Sequence, residues 1–164
     1  MHNRGLTLLE VLVVIVVIGI LAALFIPCTG GIRPAKAAAC QANMQQLYKL
    51  GTVYASTHKG EWPAATGEDL WLSFRKTAPP LIETDHAAIL HCDVSEAELG
   101  PDETNYRGPV LPWKKLAAGD PLAADREGNH GEEYGGNVLF KDGSVREYGA
   151  GDPLWKKCRE ALSP

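Results

Sequence analysis

The chain has 164 residues, 45% of them apolar and 22% charged, with a formal net charge of −4. That length has room for one membrane helix and one small domain of about 100–130 residues, and excludes a second sizeable core. Residues 31–60 carry Arg33, Lys36, Lys49 and Lys59 and no acid, whereas residues 61–152 hold 18 Asp or Glu against 8 Lys or Arg, a net −10. The acidic part has the wrong sign for nucleic acid, while opposite charges on the two parts would draw neighbouring copies together.

The first element is an apolar run from Leu6 to Ile26 broken only by Glu10. As a helix it would be roughly 31 Å long, close to the hydrocarbon thickness of a bilayer. A carboxylate in lipid costs on the order of 2.5–3.5 kcal/mol, so Glu10 needs a partner. A secretory signal would be cut after its apolar region, at small residues, but Pro27-Cys28-Thr29-Gly30-Gly31 fits that pattern poorly. Cutting before the run, after Gly5, places a new amine on Leu6. Leu6 and Glu10 are spaced i, i+4 on one helix face. Amine and carboxylate at 4 Å attract by roughly 4 kcal/mol at an effective dielectric near 20, which offsets the burial.

Gly5-Leu6-Thr7-Leu8-Leu9-Glu10 followed by Val11-Leu12-Val13-Val14-Ile15 resembles the prepilin leader of type IV pilins and type II secretion pseudopilins. Gly19 and Pro27 fall where pilin stems commonly carry Gly and Pro, and Leu6 stands where Phe is usual. The resemblance implies cleavage between Gly5 and Leu6 by a prepilin peptidase, N-methylation of Leu6, and a role for Glu10 in assembly. It also implies an α+β fold, with a long N-terminal helix (membrane half plus stem) packed on a small antiparallel sheet. The expected organisation is a leader at 1–5, an assembly and transmembrane helix at 6–26, and a head at 27–164 that includes a stem helix over about 33–58. Arg4 ahead of the run keeps the N-terminus cytoplasmic by the positive-inside rule. The head then lies outside the cytoplasm, on a single-pass protein of the bacterial inner membrane, where disulfides persist.

Pro27 and Gly30-Gly31 interrupt the helix between membrane and stem. From Arg33 to about His58, Cys40, Met44, Leu47, Leu50 or Gly51, and Tyr54 recur at steps of three and four, an apolar stripe able to pack on a sheet. Gly60-Glu61-Trp62-Pro63 ends this helix. Thr66-Gly67-Glu68-Asp69 reads as a capping box opening a short helix with Leu70, Trp71 and Phe74, which Pro79-Pro80 stops. Ala88-Ile89-Leu90-His91-Cys92 is a candidate strand, and Asn105-Tyr106-Arg107 and Leu122-Ala123-Ala124-Asp125 are weaker ones. The clearest hairpin pairs Asn137-Val138-Leu139-Phe140 with Ser144-Val145-Arg146-Glu147-Tyr148 around Asp142-Gly143. Asp152, with Pro153 at the first helical position, starts a closing helix with Leu154, Cys158 and Leu162 on one side.

The stem from Cys40 to Leu47 and on to Trp62-Pro63 resembles that of prepilin-like proteins abundant in planctomycetes. His130 followed by Asp142-Gly143 is similar to their C-terminal element, with a loop two residues longer here. Asp142-Gly143 is explained as a turn and His130 as a loop residue beside the hairpin. Asp125, His130, Glu132, Glu133 and Asp142 supply donors for calcium, which major pseudopilins bind in a C-terminal loop, but no EF-hand spacing is present. Asp125, Glu132 and Asp142 are the calcium candidates, and no other cofactor is expected. His91-Cys92-Asp93 makes no zinc site, because successive strand residues point to opposite faces. No hydrolase or phosphate-loop motif occurs, and nothing in the sequence places Cys92 beside His130, so no enzyme activity is expected.

Four cysteines, Cys28, Cys40, Cys92 and Cys158, allow three complete pairings. Resemblance to the planctomycete-type group implies Cys40 with Cys92. The rival is Cys92 with Cys158, and buried free thiols remain open. The function that the resemblance implies is a structural subunit of a pilus-like or pseudopilus filament. Its partners would be prepilin peptidase, other pilin or pseudopilin subunits, an inner-membrane assembly platform and the lipid bilayer. The alternative is a membrane-tethered extracytoplasmic binding module for a surface, a substrate or calcium.

Overall fold

The computed structural model describes residues 7–25, 32–95, 99–100, 102–131 and 133–163, with backbone alone for 23–25 and 32–35. The chain divides at Ile32 into two units. The first contains helix α1, Leu8–Phe25. Its large apolar side chains, from Leu8 through Val14 and Ile18 to Leu21, are exposed. Among the described residues no helix is long and apolar enough to cross a membrane. The 18 residues of α1 reach about 27 Å, short of a roughly 30 Å core. The expected span runs past both ends of α1, and Leu6 and Ile26 lie outside the described residues, as do Pro27 and Gly30-Gly31.

The second unit is α+β. Helix α2, Ile32–Thr57, is followed by α3, Glu68–Ser73, and a four-stranded antiparallel sheet in the order β1-β2-β3-β4. The strands are Tyr106–Arg107, Pro121–Asp125, Gly136–Phe140 and Val145–Tyr148, and α4, Pro153–Glu160, closes the chain. Strand β3 is buried along its whole length. Leu139 joins the core beneath α2, with Cys40, Met44 and Leu47, which are wholly buried. Val138 and Phe140 face the other way, into a cluster with Trp155, Cys158 and Leu162. Alternation along one strand thus feeds two apolar layers, one under each helix.

The stem stripe has a specific reason for Gly51. A Cβ there would run into the Trp62 ring, so the missing side chain lets the indole lie against the α2 backbone. Trp62 in turn stacks on Trp113, with ring centroids 4.1 Å apart and planes 4° from parallel. At the β3–β4 hairpin only Gly143 takes a positive φ, 84°. Asp142 instead accepts hydrogen bonds from the backbone N–H of Ser144 at 2.9 Å and its hydroxyl at 2.6 Å. The connection is therefore the three-residue loop Lys141-Asp142-Gly143, with glycine at the left-handed position.

Three local expectations need correction. Ala88–Cys92 is no strand: Thr84–Leu90 forms a 3-10 helix. Its alanines favour helix over sheet. One backbone bond and two side-chain bonds stand there in place of a ladder: the Asn105 N–H donates to Leu90 O at 3.1 Å, the Thr104 hydroxyl to the same oxygen at 2.8 Å, and the Cys92 N–H to Asn105 Oδ1 at 2.9 Å. Thr66 does not cap α3. The N-cap is Gly67, at φ 64°, whose N–H bonds Pro109 O at 2.8 Å, while Glu68 pairs with Arg126. In α4 the cap is as expected, Asp152 Oδ1 accepting from Leu154 N at 2.8 Å. Its buried face, however, is Trp155, Cys158 and Leu162, and Leu154 is half exposed.

Candidate functional site

At the N-terminus, Thr7 and Glu10 cap α1 reciprocally. The Thr7 N–H and hydroxyl each donate to Glu10 Oε2 at 2.8 Å, and the Glu10 N–H donates to Thr7 Oγ1 at 3.3 Å. This is a capping box, Thr-x-x-Glu, which satisfies N–H groups that the first turn leaves without partners. The pattern is visible in the sequence, yet the reading of Glu10 as an ion-pair partner passed over it. Gly5 and Leu6, the residues of the expected cut, lie outside the described residues.

Within the head, the chemistry-bearing side chains gather where β2 ends and β3 begins. Asp125, the last residue of β2, is wholly buried. Its Oδ2 accepts from the Asn137 N–H at 2.7 Å and from Asn137 Nδ2 at 3.0 Å. Gln41 on α2 holds Asn137 in turn, donating to its Oδ1 at 2.9 Å. The loop after β2 brings His130 back over Asp125, with Nε2 3.1 Å from Asp125 Oδ2. Asn129 anchors that loop by donating to Asn105 O at 2.9 Å. The same Nε2 lies 3.2 Å from Cys92 Sγ. Cys92 is joined to Cys40 as a disulfide, with Cα atoms 5.1 Å apart.

The structure thus brings Cys40, Cys92, Asp125 and His130 together, one ligand-type atom from each lying within 4.8 Å of the others. Asp142 is not among them. It is exposed in the hairpin turn, past the far end of β3 and about 13 Å of strand from Gly136. There the Ser144 hydroxyl and N–H bonds hold its carboxyl below the usual aspartate range. Asp125 and Asp142 therefore do not share a site, and Glu132 lies outside the described residues. His130 also forms part of the wall of an open cleft of about 510 Å³ with Tyr134 and Tyr148. Cys158 is a buried free thiol whose pKa is raised, chiefly by burial, which leaves it poorly reactive. Cys28 lies outside the described residues.

No signal in the sequence predicts the pairing of Cys92 with His130, which are 38 residues apart. Asn137 and Gln41, which orient Asp125, read in sequence only as a strand residue and a stem residue.

Residues 1–26 match the family model of the prokaryotic N-terminal methylation motif. No curated protein and no solved structure matches the chain. The match covers the start of a 164-residue chain and leaves the head unassigned. It carries the run containing Gly5, Leu6 and Glu10, and so supports a type IV pilin-like protein processed by a prepilin peptidase and associating with pilin subunits.

Proposed function

We propose that this chain is a structural, non-enzymatic subunit of a type IV pilus-like or type II secretion pseudopilus filament. A prepilin peptidase cuts after Gly5 and the new amine of Leu6 is methylated. The N-terminal helix anchors the subunit in the inner membrane and afterwards packs in the filament core, with the head outside the cytoplasm. The observation that carries this reading is the methylation motif over residues 1–26, with Gly5 and Glu10 at the required offsets. A second support is the apolar surface of α1, exposed all round from Leu8 to Leu21. A surface of that size calls for lipid or other helices to cover it. Charge division adds to the reading, since the basic residues of 31–60 complement the acidic head of a neighbouring copy.

The test is a Glu10→Ala chain expressed beside the wild type in cells with the peptidase. The filament reading expects normal membrane insertion and loss of sheared or pelleted filaments. If the variant assembles as well as the wild type, or if no filament exists to lose, the chain is instead a membrane-tethered extracytoplasmic binding module.

A further inference from the structure

We infer that the dithiol form of the head is a zinc site, made by Cys40, Cys92, Asp125 and His130. This goes beyond a filament role and does not depend on it. Disulfide and zinc would be alternative occupants of the same place.

The four groups come from α2, the segment after the 3-10 helix, the end of β2 and the loop that follows, so tertiary packing brings them together. Their relative exposures are 0%, 2%, 0% and 6%, and one donor atom from each lies within 4.8 Å of the rest. Tetrahedral zinc, with bonds of about 2.3 Å to sulfur and about 2.0–2.1 Å to nitrogen or oxygen, holds its ligand atoms roughly 3.3–3.8 Å apart. His130 Nε2 already sits 3.1 Å from Asp125 Oδ2 and 3.2 Å from Cys92 Sγ, a few tenths of an ångström from that spacing. The remaining donor pairs lie within 4.8 Å of one another, and reduction frees the two sulfurs to separate.

The surroundings fit a metal ligand set. Asn137, held by Gln41, donates twice to Asp125 Oδ2 and so fixes the carboxylate, as outer partners of metal ligands do. Asp125 Oδ1 is buried with no hydrogen-bond partner among the described residues. The basic side chain set against it is His130, Nε2 lying 3.1 Å from Oδ2. A buried carboxylate with one oxygen left unpartnered gains from a divalent ion. Two thiolates, an imidazole and a carboxylate select zinc rather than calcium.

The experiment uses the full chain in detergent. A phosphine reductant gives two electrons to the disulfide, leaving two thiols and a phosphine oxide whose oxygen comes from water. Zinc then displaces the two thiol protons. After desalting, metal analysis should find one zinc per reduced chain and at least tenfold less on the oxidised chain. The doubly substituted Cys28→Ser, Cys158→Ser chain should keep the site, and His130→Asn should lose at least tenfold in occupancy. Cobalt(II) in place of zinc should give the visible bands of a tetrahedral ion and a thiolate charge-transfer band, a readout independent of whether the His130 variant folds. A reduced chain that retains no zinc overturns the inference. So does equal binding by the oxidised chain, loss of binding in the Cys28→Ser, Cys158→Ser chain, full occupancy in His130→Asn, or an octahedral cobalt spectrum.

Discussion

Glu10 and Thr7 cap one another at the start of α1, the carboxylate accepting from both the N–H and the hydroxyl of Thr7 at 2.8 Å. This gives Glu10 a local structural role beside the proposed one of pairing with the amine of Leu6. The two roles separate by substitution, because glutamine also completes a capping box but carries no charge. Glu10→Gln should insert normally, keep its helicity and still fail to assemble. Glu10→Ala should fail as well and should also fray the first turn, at a cost of about 1 kcal/mol. Filament yield and helicity in detergent report the two effects. Assembly of the glutamine variant at wild-type yield would assign Glu10 to capping alone.

The Cys40–Cys92 disulfide closes a sequence separation of 52 residues between α2 and the segment after the 3-10 helix. In the chain-entropy model a loop of that size stabilises by roughly 4 kcal/mol, and native disulfides typically contribute 2–5 kcal/mol. Urea unfolding of the chain with and without reductant, a chelator being present in both, should show a loss of about 2–4 kcal/mol. Non-reducing peptide maps should contain the Cys40–Cys92 peptide and no Cys92–Cys158 peptide.

Gly51 lets the Trp62 indole rest on α2. Gly51→Ala would gain helix propensity of about 1 kcal/mol in isolation. Overpacking against Trp62 costs about 1–3 kcal/mol, so the net effect should be destabilising or neutral, with the Trp62–Trp113 stack disturbed. A red-shifted tryptophan emission with an unchanged or lower urea midpoint is the expected result. A clear rise in stability would show that the indole is not seated as described.

Glu127 pairs with Arg159 of α4 at 2.7 Å, and this hydrogen bond and charge hold its carboxyl below the usual glutamate range. A depressed folded-state value means that the pair stabilises above the unfolded-state range and loses that contribution as pH falls through the folded-state value. The stability difference between wild type and Glu127→Gln should be largest near neutrality and shrink toward zero on acidification. A difference that grows as pH falls would contradict the pairing.

Much of the fold was legible because its signals are local. The three- and four-residue steps of Cys40, Met44 and Leu47, the Asp152-Pro153 start of α4 and the Gly143 turn each follow from backbone preferences within a few residues. Ala88–Cys92 reads as a strand because Ile89 and Leu90 are apolar, whereas the groups that bond it, from Asn105 and Thr104, come from a distant segment. Leu154 stands four and eight residues before Cys158 and Leu162, but Trp155, three and seven before them, fits a helical face equally well and is the one buried. The grouping of Asp125 and His130 with the two cysteines had no sequence signal. It depends on α2 covering β3 and on the loop after β2 folding back, which only tertiary packing decides.

The central claim is that the chain is cut between Gly5 and Leu6 and methylated on the new amine. Intact mass of the membrane-extracted protein, from cells that have the peptidase, tests it most directly. The account predicts loss of the mass of residues 1–5 and gain of one methyl group relative to protein from the peptidase-deficient strain. Protein from peptidase-competent cells that still carries Met1 to Gly5 would contradict it.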